Sequence, residues 1–297
     1  RAVRWKNEIS NVTAIPAALG GQGIWKVSMG ATLVGIEVPT TSRNLEVKPY
    51  AIADVRTDRT VTPVVSNHSS ADAGVDVKYG LSRGLTADFT YNTDFAQVEQ
   101  DDQQVNLTRF SLLYPEKRDF FLEGQGIFSF GGAGSGGGGG GGEGAGGGIG
   151  ATNLTPIVFF SRQIGLAGDL DAPVRVPIVA GARVTGRAGR YTLGLLNIET
   201  AREESQGLPA TNFSVVRVRR DILRRSTIGF IGTNRADRVD GAGLNQVFGV
   251  DANFAFYRTI EAKAYYARTR ASGQTDTGDA ASYLGEFLYN ADRYGFL

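Results

Sequence analysis

The stretch YPEKRDFFLEG, residues 114–124, gathers more reactive side-chain types than any other part of the chain. Glu116, Lys117, Arg118, Asp119 and Glu123 surround Phe120, Phe121 and Leu122. Charges this close can pair among themselves while the rings pack on a wall. The result would be a constriction whose mixed charge selects what passes, or a structural corner closed by a buried ion pair. Glu116 and Glu123 could also serve as carboxylates for hydrolysis, with Asp94 and Glu99 upstream as further candidates. The acidic run Asp94, Glu99, Asp101 and Asp102 lacks the ligand spacing of a calcium loop and reads more simply as a solvated face.

A second cluster, RVRRDILRR, places Arg217, Arg219, Arg220, Arg224 and Arg225 around one hairpin end. It could bind the phosphates of lipopolysaccharide or an acidic glycan, or simply form a charged hairpin tip. Ser66, His68 and Asp72 lie too close in sequence to argue a catalytic triad, and the histidine reads as solvated in a polar loop. The acidic pairs Asp169/Asp171 and Asp276/Asp279 fall in expected loops. Fifteen of the 41 glycines lie between Gly131 and Gly150. Their GxGxxG matches carry no strand–turn–helix context and so no nucleotide signal. A flexible loop of that length spans roughly 25 Å.

Absences narrow the chemistry. The chain has no cysteine, one histidine and one methionine, which removes disulfides, thiolate metal sites and cysteine nucleophiles. Net charge is +1, so no basic field exists for nucleic acid. No cofactor, metal or nucleic-acid partner is expected, and no catalytic residue is assigned. No apolar run approaches the roughly 18 residues of a spanning helix, whereas spanning strands alternate and escape that measure.

The elements that must position these residues read as strands. From about Leu45 onward the dominant period is two. Val75, Val77, Tyr79 and Leu81 face away from Asp76, Lys78 and Gly80; after a Ser-Arg-Gly turn, Leu85, Ala87, Phe89 and Tyr91 alternate with Thr86, Asp88, Thr90 and Asn92. Hairpins recur with turns near Ala188-Gly189 and Leu223, and again between Phe256 and Ile260. About ten to twelve strands are expected, most near the nine to eleven residues of a tilted membrane strand. Short helices are expected over TDFAQVEQDDQQ, capped by Thr93, and over PEKRDFFLEG, with Pro115 opening it and Gly124 past its end. The polar face carries Asp76, Lys78, Asp88, Arg183, Asp251, Glu261, Lys263 and Glu286 in mid-strand, which suits enclosed water. Tyr91, Tyr257, Tyr265, Tyr266, Tyr289 and Tyr294 cluster toward strand ends, as interfacial girdles require. A water-soluble sandwich shares the alternation and remains the competing architecture.

LTADFTYNTDFAQVEQDDQQVNLTRFSLLYPEKRDFFLEGQGIFSF, followed by FFSRQIGL, VPIVAGARVTGR, YTLGLLNIET and FSVVRVRRDI, resembles a family of bacterial outer-membrane β-barrels of uncharacterised function. The resemblance runs from about Trp25 to the C-terminus. In that family the barrel follows a family-9-type carbohydrate-binding domain. The resemblance implies an all-β antiparallel transmembrane barrel in the bacterial outer membrane, in contact with outer-membrane lipid and with carbohydrate or lipopolysaccharide. Residues 1–44 would be the lead-in from a preceding domain and 45–297 the barrel, incomplete where family members continue beyond RYGFL. Within it, 93–130 would be a lumenal insert and 131–150 a flexible glycine-rich loop. The expected role is a channel or uptake pore for carbohydrate-related solutes, with 114–124 as its internal constriction. The alternatives are a barrel-borne hydrolase using lumenal carboxylates and a scaffold that transports nothing; the oligomeric state is left open.

Overall fold

The structure, a computed structural model, describes residues 44–59, 65–93, 116–131, 156–169, 172–204, 207–237, 243–257, 259–272, 280–290 and 294–296. All of them lie in one compact unit spanning 42–140 and 152–297. The strands are β1 (Leu45–Asp58), β2 (Val65–Ser82), β3 (Leu85–Tyr91), β4 (Leu166–Asp169), β5 (Ala172–Arg175), β6 (Ile178–Ala188) and β7 (Tyr191–Thr200). They continue as β8 (Thr211–Asp221), β9 (Thr227–Asp237), β10 (Asn245–Phe256), β11 (Ile260–Ala271), β12 (Ala281–Asn290) and β13 (Gly295–Phe296). Helical structure among the described residues is slight: one turn, α1 (Asp119–Leu122), and short 3-10 segments at Gln125–Phe128 and Ser161–Gln163.

Eleven strands form a single sheet in the order β1-β2-β3-β6-β7-β8-β9-β10-β11-β12-β13, while β4 and β5 pair separately. Every ladder is antiparallel between sequential neighbours, except that β3 pairs β6 across the insert. The all-β antiparallel expectation holds. No described ladder joins β1 to β12 or β13, so the sheet is open rather than closed on itself.

Because side chains alternate along a strand, a register that shifts only near strand ends, at Arg56/Asp58, Gly80/Ser82 and Ile178/Ala180, gives the sheet two chemically distinct faces. One row runs Leu45–Tyr79–Ala87–Val184–Leu195–Val216–Gly232–Phe248 across eight strands. The neighbouring row, on the opposite face, begins Glu46–Lys78–Asp88–Arg183 and continues through Leu196, Val215 and Thr233. The first face, called outward here, is apolar and exposed: Val250 is 52% and Phe248 50% accessible. The second, inward face holds the core. There Phe120, Phe121, Phe128 and Phe130 of the insert pack on Ile178, Leu196, Ile198, Val215, Ile231 and Tyr265.

The two ends of the sheet also differ. Tight connections at 83–84, 189–190, 222–226 and 257–259 close one end, and longer ones at 92–177, 201–210, 238–244 and 272–280 leave from the other. The turns near Ala188-Gly189 and Leu223 stand where the alternation placed them.

Four expectations change. The helix over PEKRDFFLEG shrinks to Asp119–Leu122, because the Glu116 carboxylate takes the N–H groups of Lys117 and Arg118, and Arg118 stays in the β region at φ −78°. The polar stretch around His68 is not a loop: β2 runs through it, paired with β1 from Val65 to Tyr79, with a register shift beside His68, and with Asn67 at φ 49°. Asp169, expected in a loop, is the last residue of β4, which pairs with β5 as a small separate hairpin. Tyr265 and Tyr266 stand in the middle of β11, and Tyr265 faces inward and is buried. Residues 94–115, with the TDFAQVEQDDQQ segment, and 132–150, with most of the glycine tract, lie outside the described residues, as do 1–43.

Gly186 on β6 sits at φ +141°, opposite Leu85, where a β-carbon would run into the Gly84 carbonyl. Replacing it with valine adds both the clash and backbone strain of about 1–3 kcal/mol. Gly186→Val should lower the denaturant midpoint accordingly; an unchanged midpoint would contradict this register.

Candidate functional site

The insert formed by residues 116–131 is held by three arginines, one of its own against the segment before β4 and two on the inward face of the sheet, each with a carboxylate partner and an aromatic ring. At the first, Arg118 and Glu116 form a fork: Nε donates to Oε1 at 2.8 Å and Nη2 to Oε2 at 2.7 Å. Arg118 also donates to the carbonyls of Ile164 and Ser161, both at 2.7 Å, tying the insert to the segment that precedes β4. The Ser161 hydroxyl donates to Glu116 Oε2 at 2.8 Å, and the backbone N–H groups of Lys117 and Arg118 donate to Oε1 at 3.1 Å. Those last two bonds lie just ahead of α1, where Arg118 has an extended backbone. Arg118 is 2% exposed and its guanidinium lies 4.2 Å from the centre of the Phe121 ring.

The second arginine belongs to the sheet. Arg183 of β6 donates from Nε and Nη2 to Asp88 Oδ2 of β3, at 3.1 and 2.7 Å. Its Nη1 donates to the carbonyl of Glu123 at 2.5 Å, and its guanidinium stands 5.1 Å from the Phe120 ring centre. Lys78, directly opposite Asp88 on β2, pairs with the Glu123 carboxylate. At the third, Arg217 of β8 forms a two-pronged pair with Asp251 of β10 at 2.5 and 2.8 Å. Arg217 faces Phe130 at 5.8 Å, while the Gly131 N–H reaches Asp251 at 3.4 Å.

Glycines in the sheet make room for these rings. A β-carbon at Gly249 would come within 2.7 Å of the Phe130 ring, one at Gly194 within 2.9 Å of Phe128, and one at Gly181 within 3.3 Å of Phe120. Gly229 lies under the Arg217–Asp251 pair in the same way. The insert and the strands therefore fit ring to gap and charge to charge.

The electrostatics follow from the contacts. Burial alone would push the Glu116 carboxyl up, but the Arg118 guanidinium, the backbone N–H groups and the Ser161 hydroxyl outweigh it and hold the group below its ordinary value of 4.5. Glu123 is also held below that value, chiefly by its hydrogen bond from Lys78.

Beside the insert, Glu46, Lys48, Asp76, Lys78, Asp119 and Glu123 line a cleft of about 60 Å³, room for a few water molecules. Thus Glu116 and Arg118 serve as a buried anchor, Lys117 is half-buried, and Asp119 and Glu123 face the cleft. Asp94 and Glu99 lie outside the described residues. The arginine cluster divides. Arg217 is 1% exposed and paired, so it presents nothing to a glycan or lipopolysaccharide, and Arg219 is half-buried on the same inward face. Arg220, Arg224 and Arg225 are exposed at the short-turn end, and Arg225 Nη1 donates to the Tyr257 carbonyl at 3.1 Å. Among the described residues no group of histidine, cysteine or acidic side chains is placed to hold a metal.

Asp88, Arg183 and Asp251 stood out in the sequence only as ions on a polar strand face. Arg183 meets Glu123 60 positions away and Asp251 meets Gly131 120 positions away, and alternation carries no signal for contacts at that separation. Ser161, Glu46 and Lys48 gave no signal of their own.

A domain-family model described as a Domain of unknown function (DUF5916) matches residues 41–133. The matched stretch contains β1 to β3 and the insert, with Glu46, Lys78, Asp88, Glu116, Arg118 and Glu123; Arg183, Arg217 and Asp251 lie beyond it. No curated protein and no solved structure matches the chain.

Removing one partner of a buried pair leaves an uncompensated charge, at about 3–5 kcal/mol. Arg118→Met should therefore release the insert, seen as rapid proteolytic cleavage within 116–131, whereas Lys117→Met should not. The pH dependence has a definite sign. A carboxyl whose folded pKa is depressed contributes stability in full above its unfolded value and loses it as pH falls through the folded one. The hold on the insert should thus be constant above pH 4.5 and fade below it; Glu116→Gln, weaker throughout, should keep only the part of that dependence carried by Glu123.

Proposed function

We propose that this chain is the membrane-spanning part of a bacterial outer-membrane β-barrel that conducts small polar solutes, with the insert at 116–131 as its internal constriction. The observation that carries the reading is the division of one sheet into an exposed apolar face and an ionised face to which the insert is locked. A water-soluble sandwich would cover Phe230, Phe248, Val250 and Phe256 with a second sheet, and among the described residues none lies over them. Strands β6 to β12 are ten to twelve residues long, close to the length that crosses a bilayer when tilted. Tight turns at one end and longer connections at the other match a barrel whose short turns face the periplasm. Closure would need strands or residues beyond the open sheet.

In this reading the cleft beside the insert is the path. Five carboxylates (Glu46, Asp76, Asp88, Asp119, Glu123) line it against three cations (Lys48, Lys78, Arg183), which favours cations over anions. The carbohydrate-related cargo rests on the resemblance to barrels that follow a carbohydrate-binding domain.

Planar-bilayer recording tests the proposal. The full chain should give discrete conductance steps with cation preference. Lys78→Glu should strengthen that preference severalfold, and deletion of 117–130 should enlarge the steps. Added oligosaccharide should interrupt the current. Absence of steps, or steps indifferent to both changes, would overturn the channel.

A further inference from the structure

The outward face is not a uniform apolar wall. Between β7 and β11 it holds a groove of about 670 Å³. Ala252 and Ala264, directly opposed on β10 and β11, form its floor. Ile228, Phe230, Val250 and Tyr266 form its sides. At the short-turn end the groove meets Arg220, which the register places on the outward face opposite Tyr191. The guanidinium lies 5.3 Å from the Tyr191 ring centre, and Arg220 has no hydrogen bond or ion pair among the described residues. Exposed Arg190 and Arg224 stand in the adjoining turns, while the nearby carboxylate of Asp221 is taken by Arg187. The groove is thus apolar along its length and carries unspent positive charge at one end.

We propose that this groove seats one anionic phospholipid, its acyl chain along Ala252 and Ala264 and its phosphate on Arg220. The inference rests on the membrane reading above and adds a specific site to it. An acyl chain matches a groove with small residues beneath and branched or aromatic ones beside it. A phosphate matches a guanidinium that is exposed, held in place by a ring and without a carboxylate partner among the described residues. The short-turn end is where an outer-membrane barrel meets the inner leaflet, so the ligand is a phospholipid rather than lipopolysaccharide.

The test uses the full chain with vesicles of phosphatidylglycerol and phosphatidylethanolamine. Flotation reads insertion; native mass spectrometry after extraction into mild detergent reads retained lipid, and heat-modifiable migration confirms that each variant is folded. The wild type should float and keep one phosphatidylglycerol in preference to phosphatidylethanolamine. Arg220→Gln should cut that preference about tenfold, because the guanidinium neutralises the net negative charge that phosphatidylglycerol has and phosphatidylethanolamine lacks. Ala264→Phe, which fills the groove, should abolish retention of either lipid, and Arg187→Gln should change nothing. Flotation without preferential retention, or equal preference in Arg220→Gln, overturns the seat alone. Failure to float overturns the membrane reading and the seat together.

Discussion

A guanidinium taken out of water is destabilising by several kcal/mol unless a carboxylate and further hydrogen-bond partners are already in place. This chain meets that condition at Arg118 in the insert and at Arg183 on the sheet; at Arg217 the carboxylate is in place, but Nε has no partner among the described residues. Each arginine has its acid in Glu116, Asp88 or Asp251, and each has a phenylalanine of the insert against it. Stacking of this kind contributes about 0.5–2 kcal/mol per pair, more as water is excluded. The rings and the charges therefore support each other: the insert dries the ion pairs, and the ion pairs fix where the insert lies. Neither half would hold without the other, which is why the insert shows one turn of helix and otherwise follows the demands of the sheet.

The same constraint orders the rest of the molecule. With the ionised residues committed to one face, the alternation of every strand forces Leu195, Val216, Phe230, Phe248 and Val250 to the other. A face so apolar and so uncovered is stable next to hydrocarbon or against a partner, and unstable against water. The distinction between the faces is carried by register alone, so a slip of one residue anywhere would bury lipophilic rings among charges. The buried pair at Arg183 is built from strands that are adjacent only because β3 pairs β6 across the insert, so the pairing of the sheet and the seating of the insert are parts of one arrangement.

Much of this was legible in the sequence. The two-residue rhythm gave the strands from Val75 onward, the tight turns near Gly189 and Leu223, and the identity of the polar face down to Lys263 and Glu286, which do pair across β11 and β12. The dense charge of 114–124 pointed to the insert. What local pattern could not show is partnership over distance. Nothing near Asp251 indicates that Arg217 will meet it, so Arg217 read as part of an exposed basic cluster when it is turned inward. Gly124 does stand just past the helix, in the left-handed region at φ 67°, but the helix begins only at Asp119, after Glu116 has accepted from the N–H groups of Lys117 and Arg118. The polar composition around His68 concealed a strand, since pairing with β1 and not apolar content decides that segment.

The central claim is that the outward face meets hydrocarbon while the insert lies on the opposite, water-facing side. The chain has no cysteine, so single replacements report without interference. Fluorophores at Val250→Cys, Asn253→Cys and Leu122→Cys, in chain reconstituted into vesicles, can be challenged with a lipid-borne quencher and with aqueous iodide. Quenching of position 250 by the lipid-borne reagent alone, and of 253 and 122 by iodide alone, is the expected result. Iodide quenching at 250, or lipid-borne quenching at 122, would contradict it.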